Sequence, residues 1–396
     1  MVTLFPRSSK GQGMPDELKK GLEGVLVAES ALSDIDGEAG RLVYRGYDIE
    51  DLARETSYEE VLYLLWNGEL PDQARLAEFA DAMAEERAVD GYVLDALEAL
   101  GAAGEQPMSA LRTGVSMLSA SEPEADADPE DADANRRKGR RVVAKIPTIL
   151  AAYDRCRRGE APVEPRADLG HAANFLYMLT GEEPGDVAAE TFDMALILHA
   201  DHGLNASTFT AMVIASTLAD VYSSVTGGIG ALSGSLHGGA NQDVMETLQE
   251  IHESDLEARE WIEQAVEAGE RIPGWGHRVY ATKDPRAKIL HRKLADLSEA
   301  DGYDSWLEYT TTIEEYLTEE QGLPERGIAP NVDFYSGAVY DKLGIPVDMY
   351  TPIFAMSRAG GWVGHVLEYQ TDNRLIRPRG RYTGPRDREV TPIAER

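Results

Sequence analysis

The sequence predicts a mainly α-helical fold with one small β hairpin near its N-terminus, and three observations lead there. Apolar residues recur at helical spacing in segment after segment from Asp51 onward. Long runs of apolar/polar alternation are hard to find. One early stretch, SALSDIDGEAGRLVYRGYDI, sets two short apolar pieces around Asp36-Gly37, a pair that favours a hairpin turn. In chain order, YEEVLYLLWNGELP places Val61, Leu64 and Leu65 on one helix face before a Gly68/Pro71 break. The same period returns in GYVLDALEALGAAG, in VVAKIPTILAAYDRCRRG and in AREWIEQAVEAGE. Between them, Ser119 to Arg140 is acidic, low in complexity and changes sign at Arg136, Arg137 and Lys138, which reads as a solvated loop. No fixed repeat emerges, so a solenoid is not expected.

At 396 residues and 43% hydrophobic, the chain can bury one large or two modest cores. It has no apolar run of membrane-spanning length, and MVTLFPRSSKGQGMPDELKKG lacks the apolar stretch of a secretory leader, so a cytoplasmic protein is expected. A single cysteine, Cys156, excludes an internal disulfide and any zinc site built on several thiolates. The formal charge of −32 argues strongly against nucleic acid as a partner, and none is expected. Only nine of the 38 basic residues are lysine, and an acidic, arginine-biased surface suits high salt, where a Debye length of about 3 Å at 1 M screens self-repulsion.

Two of the eight histidines lie in glycine-rich peptides: His237 in GGIGALSGSLHGGANQDV and His277 in RIPGWGHRVYATKDPR. Glycine there lets backbone approach a ligand or take positive φ. A dinucleotide-binding reading of the first peptide fails, because Gly228-x-Gly230 meets Ser233 where a third glycine belongs and no strand precedes it. His199 and His202 are spaced i, i+3, so on one helix they would share a face, fit for a metal, a structural role or substrate contact, though no third ligand follows and no metal is expected. Asp333, in GIAPNVDFYSGAVY, stands at a helix start and reads equally as a general base or as a cap. Arg286, Arg358 and Arg377 fall in KDPR, FAMSRAGG and RLIRPRGRYTG, and guanidinium groups suit bidentate capture of small carboxylates.

Taken in order, SLHGGANQ, PGWGHRVY with KDPR, and NVDFYSG resemble the signature of the citrate synthase family, and IDGEAG…YRGYDI with RPRGRYTG resembles its short-chain archaeal and bacterial type. The resemblance implies a large helical domain from 1–237 and 338–396, a smaller helical domain from 238–337, and an active-site cleft between them. It implies that His237 binds the acetyl-CoA thioester oxygen, Asp333 removes a methyl proton, and His277 polarises the oxaloacetate ketone. His202, Arg286 and Arg358 would bind oxaloacetate, with Arg377 donated across a homodimer. The loop of Arg271, Ile272, Pro273, Gly274, Trp275 and Gly276 is similar to the one that recognises CoA, although Ala281 and Thr282 stand where some relatives carry a basic residue. The implied activity is that of an acyltransferase of the citrate (Si)-synthase type in the tricarboxylic acid cycle, with acetyl-CoA as substrate and no cofactor. Two other readings stay open: 2-methylcitrate synthase using propionyl-CoA, since one methylene is worth only about 1–3 kcal/mol, and a non-catalytic CoA- or carboxylate-binding protein.

Overall fold

The helices form where apolar periodicity meets a cap. In the computed structural model, which describes residues 18–301 and 305–396, the N-terminal peptide read as lacking a leader lies outside the described residues up to residue 17. Residues up to Ser30 make a unit of their own, whose described part holds one 3₁₀ turn, Lys20–Leu22. The second unit, Ala31–Arg396, holds the other described elements.

The expected hairpin is present and gains a third strand: β1 (Ser33–Asp36), β2 (Arg41–Tyr44) and β3 (Tyr47–Asp48), antiparallel in that order. Ser33 pairs with Tyr44 and Asp36 with Arg41, and the Asp36 carboxylate accepts from Glu38 N and Ala39 N to shape the turn. The turn also docks a later loop. Gly37 O accepts from Ala281 N at 3.0 Å, and a Cβ on Gly37 would stand 2.0 Å from the Val279 carbonyl, so only glycine fits.

The first ten helices are α1 (Ile49–Glu55), α2 (Tyr58–Asn67), α3 (Gln73–Glu85), α4 (Gly91–Ala102), α5 (Pro107–Met117), α6 (Ala132–Arg157), α7 (His171–Thr180), α8 (Asp186–His199), α9 (Ala206–Ala215) and α10 (Val221–Leu232). The α2 start is a capping box between Ser57 and Glu60, and its end is Gly68 in the left-handed region. Then come α11 (Ala240–Glu253), α12 (Ala258–Ala268), α13 (Pro285–Asp301), α14 (Ser305–Glu315), α15 (Asp333–Lys342) and α16 (Tyr350–Gln370).

Helix α16 is buried on all sides along most of its length, as a central core helix is, and it carries the buried polar side chains of Arg358 and His365. It packs on α2, α6, α8, α9 and α10. Gly360, Gly361 and Gly364 permit the closeness: a Cβ on Gly361 would lie 2.3 Å from Ala200 O. Helices α11 to α15 pack mostly on one another, with α11 reaching α16 and α13 reaching α1 and α8.

The acidic stretch from Ser119 differs from the solvated loop expected. Residues Ala132 onward already belong to α6, and Glu122 and Glu124 fold back on Arg137 and Arg141 of that helix. The local sequence hid this because the counter-ions lie more than a dozen residues apart. These arginines hold the Glu124 carboxyl at about 2, below the usual carboxylate range.

Candidate active site

The loop between α8 and α9 carries the first site residue. His199 and His202 do not share a helix face, because α8 ends at His199 and His202 lies in the irregular turn beyond it. His199 is fully buried and donates from Nδ1 to Ala195 O at 2.8 Å. Asp201 shapes the turn: one carboxylate oxygen accepts from Ser33 Oγ and Gly203 N, the other faces His365 Nε2 at 3.1 Å, and its carbonyl accepts from Tyr44 at 2.8 Å. His202 is thereby presented to Tyr280, whose hydroxyl lies 3.3 Å from Nε2, and to His277, whose ring centroid is 5.3 Å away. Burial first, then the charges of Arg286 and Arg358, lower the His202 pKa well below its ordinary value.

His237 follows α10 in a tight turn in which its N–H donates to Gly234 O. The next glycine is required there, since a Cβ on Gly238 would meet Leu232 O at 2.3 Å. His237 Nε2 receives the Ser207 amide at 3.2 Å and stands 2.9 Å from the Ser207 hydroxyl. An N–H aimed at Nε2 makes that nitrogen the acceptor, so the ring proton is assigned to Nδ1. Burial, and after it the Arg358 charge, lowers the His237 pKa to about 4. The ring is a neutral donor at neutral pH.

His277 is fixed in the opposite tautomer. Its Nδ1 accepts from Val279 N at 3.0 Å and from Tyr280 N at 3.2 Å, which assigns the proton to Nε2. Burial, then Arg286, lowers its pKa to about 4. The peptide before it turns through Gly274 and Gly276, both at positive φ, and a Cβ on Gly274 would collide with Phe334 Cα at 2.8 Å.

Asp333 is the first residue of α15 and not its cap, which is Val332; the Asn331 side chain just before it accepts Asp333 N at 2.9 Å through Oδ1. The same amide donates from Nδ2 to Gly276 O at 3.0 Å, while Asn331 N donates to Gly274 O at 2.9 Å. One asparagine therefore clips the His277 peptide to the start of α15. Burial pushes the Asp333 carboxyl up to about 6, against the opposing charges of Arg286 and Arg358. Among the described residues no side chain donates to that carboxylate, so it is free to take a proton.

Arg286 and Arg358 are both about 2% exposed. Arg286 is held bidentately by Asp284 at 3.0 and 2.8 Å, a pairing that outweighs its burial and raises its pKa. Arg358 donates from Nε to His199 O at 2.7 Å and lies over the Phe354 ring. Burial lowers it to about 10, the mark of a cation short of anionic partners. Arg377 is elsewhere: it is exposed on the extended segment after α16, whose Ile376 N donates to Ser216 Oγ. In the loop from Arg271 to Gly276, Arg271 is exposed while Ile272 and Trp275 turn inward, so what that loop offers a ligand is mainly backbone and Arg271.

His202 meets His277, and the charges of Arg286 and Arg358 reach His202 and Asp333, with Arg358 also reaching His237 and Arg286 also reaching His277; the sequence reading missed four residues that hold these groups: Asp201, Ser207, Tyr280 and Asn331. Asn331-Val332-Asp333 could have been found as an Asx turn at a helix start. Asp201 and Tyr280 lie next to His202 and His277 in sequence, but like Ser207 they take their roles from partners on distant segments, which leave no local signal. A neutral Nδ1–H donor, a neutral Nε2–H donor, a basic carboxyl and buried guanidiniums together fit proton abstraction next to a carbonyl and attack on a second carbonyl of an anionic substrate.

A family model described as "Citrate synthase, C-terminal domain" matches residues 21–379. A citrate synthase of Haloferax volcanii is 60% identical over 384 residues, covering 97% of this chain and 100% of the relative. A 2-methylcitrate synthase of Mycobacterium tuberculosis is 43% identical over 372 residues, 94% of this chain and 92% of that one. The crystal structure of the ternary complex of carboxymethyl coenzyme A and oxaloacetate with citrate synthase from Thermoplasma acidophilum superposes with a TM-score of 0.87 at 32% identity, covering 96% of this chain and all of that one.

Proposed function

The chain belongs to the citrate synthase family, and on that footing we propose that it condenses acetyl-CoA with oxaloacetate and hydrolyses citryl-CoA to citrate and CoA. The observation that carries the reading is the pair of opposed, locked tautomers at His237 and His277, with Asn331 tying the His277 peptide to the start of α15, where Asp333 has its carboxyl raised to about 6. Asp333 takes a methyl proton from acetyl-CoA while His237 Nδ1–H holds the thioester oxygen, so negative charge never develops unsupported. The resulting carbon nucleophile attacks the oxaloacetate ketone, whose oxygen receives the His277 Nε2 proton. Arg286, Arg358 and His202 grip the oxaloacetate carboxylates and fix the face that is attacked. Water then cleaves citryl-CoA, releasing the thiol.

Segment 238–337, with α11 to α15 packed mostly on one another, acts as a smaller lobe that closes on the rest to exclude water from the first step. Arg377, exposed in its own chain, enters the site of a second copy in a homodimer. Backbone groups of Arg271 to Gly276 receive CoA. Among the described residues no helix is long and apolar enough to cross a membrane; the protein is cytoplasmic, needs no cofactor, and its −32 surface is adapted to salt.

A thiol-release assay at high KCl tests the whole. The expected result is turnover of acetyl-CoA exceeding that of propionyl-CoA, abolished in Asp333→Ala with helical content intact. A propionyl preference would convert the reading to 2-methylcitrate synthase, and full activity in Asp333→Ala would remove the base. A fully active monomer by light scattering would overturn the Arg377 role. Unfolding midpoints that fail to rise along a KCl series would overturn the salt adaptation.

A further inference from the structure

The tautomer of His237 depends on a hydroxyl whose own proton has two places to go. Ser207 Oγ stands 2.9 Å from His237 Nε2 and 2.8 Å from Asn205 Oδ1. If the proton went to Asn205, a hydroxyl lone pair would face the Nε2 lone pair, and the histidine would be drawn toward the wrong tautomer. The Ser207 amide is no sufficient guard, because it is shared between Nε2 at 3.2 Å and Asn205 Oδ1 at 3.1 Å. Asn205 Oδ1, as the cap of α9, already accepts from Ser207 N and Thr208 N.

A third group enters from α16. The Trp362 indole N–H donates to Ser207 Oγ at 3.1 Å, and both residues are fully buried. The indole lies directly on α10, the helix that leads to His237: a Cβ on Gly228 would be 2.9 Å from indole Cδ2. That glycine keeps the indole in its place, and the place puts a donor on one Oγ lone pair. An incoming donor also polarises the hydroxyl and strengthens its outgoing hydrogen bond.

We propose that Trp362 is a positioning residue for the condensation: its indole N–H holds the Ser207 hydroxyl proton on His237 Nε2 and so keeps the His237 proton at Nδ1, facing the thioester oxygen. The proposal rests on the donor role of His237 in the condensation. Trp362 touches no substrate and acts only through Ser207.

The test uses the full-length protein at high KCl, with Trp362→Phe, Ser207→Ala and the double variant. The expected loss in Trp362→Phe is about tenfold in kcat, the size of one buried hydrogen bond, with KM for oxaloacetate within about twofold. The double variant is expected to be no slower than Ser207→Ala alone, since Trp362 has nothing left to orient. In ¹⁵N-histidine-labelled protein, the His237 ring, identified by its loss in His237→Asn, is expected to pass from the Nδ1–H pattern to a mixture in Trp362→Phe. Additive losses in the double variant, an unchanged kcat, or a slower enzyme with an unchanged His237 tautomer would each overturn the proposal. If Trp362→Phe fails to fold, ¹⁵N-tryptophan spectra of Ser207→Ala decide: the Trp362 indole N–H resonance moves if it bonds Ser207 and stays if it does not. An active His237→Asn would refute the donor role itself, whereas an inactive one beside an unaffected Trp362→Phe refutes only the relay.

Discussion

Replacing Asp333 by asparagine is expected to abolish turnover while making the fold more stable at neutral pH. Burial raises this carboxyl to about 6, against about 3.9 in an unfolded chain. The native state therefore binds more protons than the unfolded state between about pH 4 and about pH 6, and stability falls as pH rises through that window. Roughly two units at about 1.4 kcal/mol each set an upper limit of about 3 kcal/mol for the cost of the charge above pH 6. The carboxyl is partly open to water, which screens it, so about 1–2 kcal/mol is the expected gain in Asp333→Asn. Equilibrium urea unfolding at one fixed high KCl and protein concentration, followed by tryptophan fluorescence from about pH 7.5 to about pH 4, measures it. The difference should be full above pH 6 and vanish near pH 4. An asparagine variant less stable than the parent at pH 7.5, or a difference that ignores pH, would refute the reasoning.

The same carboxyl sets the acid limb of catalysis: kcat/KM should fall with unit slope below about pH 6 and stay level toward pH 8, because His237 and His277, both lowered to about 4, are already neutral. A limb near pH 7 in initial rates would point to a histidine instead. Arg358→Met should lower kcat/KM for oxaloacetate by about 30- to 150-fold, with the acetyl-CoA KM little changed, as expected for loss of a buried cation holding a carboxylate; steady-state kinetics with each substrate varied checks this. Asn331→Ala should lower stability by about 1–3 kcal/mol by leaving the Asp333 amide and Gly276 carbonyl unpartnered, and lower kcat with it; paired urea melts and initial rates separate it from a surface change, which would do neither.

Much of this site was legible because its chemistry sits in short peptides that glycine forces. His237 and His277 stood out by their neighbours, and the packing gives the reason: Gly238 and Gly274 lie where a Cβ would strike backbone. Asp333 was evenly balanced between base and cap on spacing alone, and it was the family resemblance that favoured the base; in the fold the Asn331 side chain accepts the Asp333 N–H. The supports were not legible. Asp201 gains its meaning from Ser33, Tyr44 and His365, and Ser207 from His237 and Trp362, each far away along the chain. Periodicity reports which face is buried and is silent on which buried polar groups meet. The error over Ser119 to Arg140 has the same origin, since Glu122 and Glu124 look solvated until α6 brings Arg137 and Arg141 over them.

A chain of −32 that is to grip a small dianion faces an electrostatic problem, and the two buried arginines solve it unequally. Arg286 is already paired with Asp284, so on the proposed function its expected role is geometric: a guanidinium held rigid by a bidentate partner. Arg358 has a neutral carbonyl, His199 O, as its hydrogen-bonded partner, and burial leaves its charge under-compensated. A carboxylate entering beside it would relieve the cost that burial imposes on Arg358, and contact would add hydrogen bonds to that relief. The acidic surface cannot help by attraction at a distance, and in high salt it scarcely hinders, because a Debye length of about 3 Å at 1 M confines its field. On the proposed function, affinity for the anion is expected to depend on Arg358 more than on Arg286, and the salt dependence of oxaloacetate KM should be shallow for the parent and nearly absent in Arg358→Met.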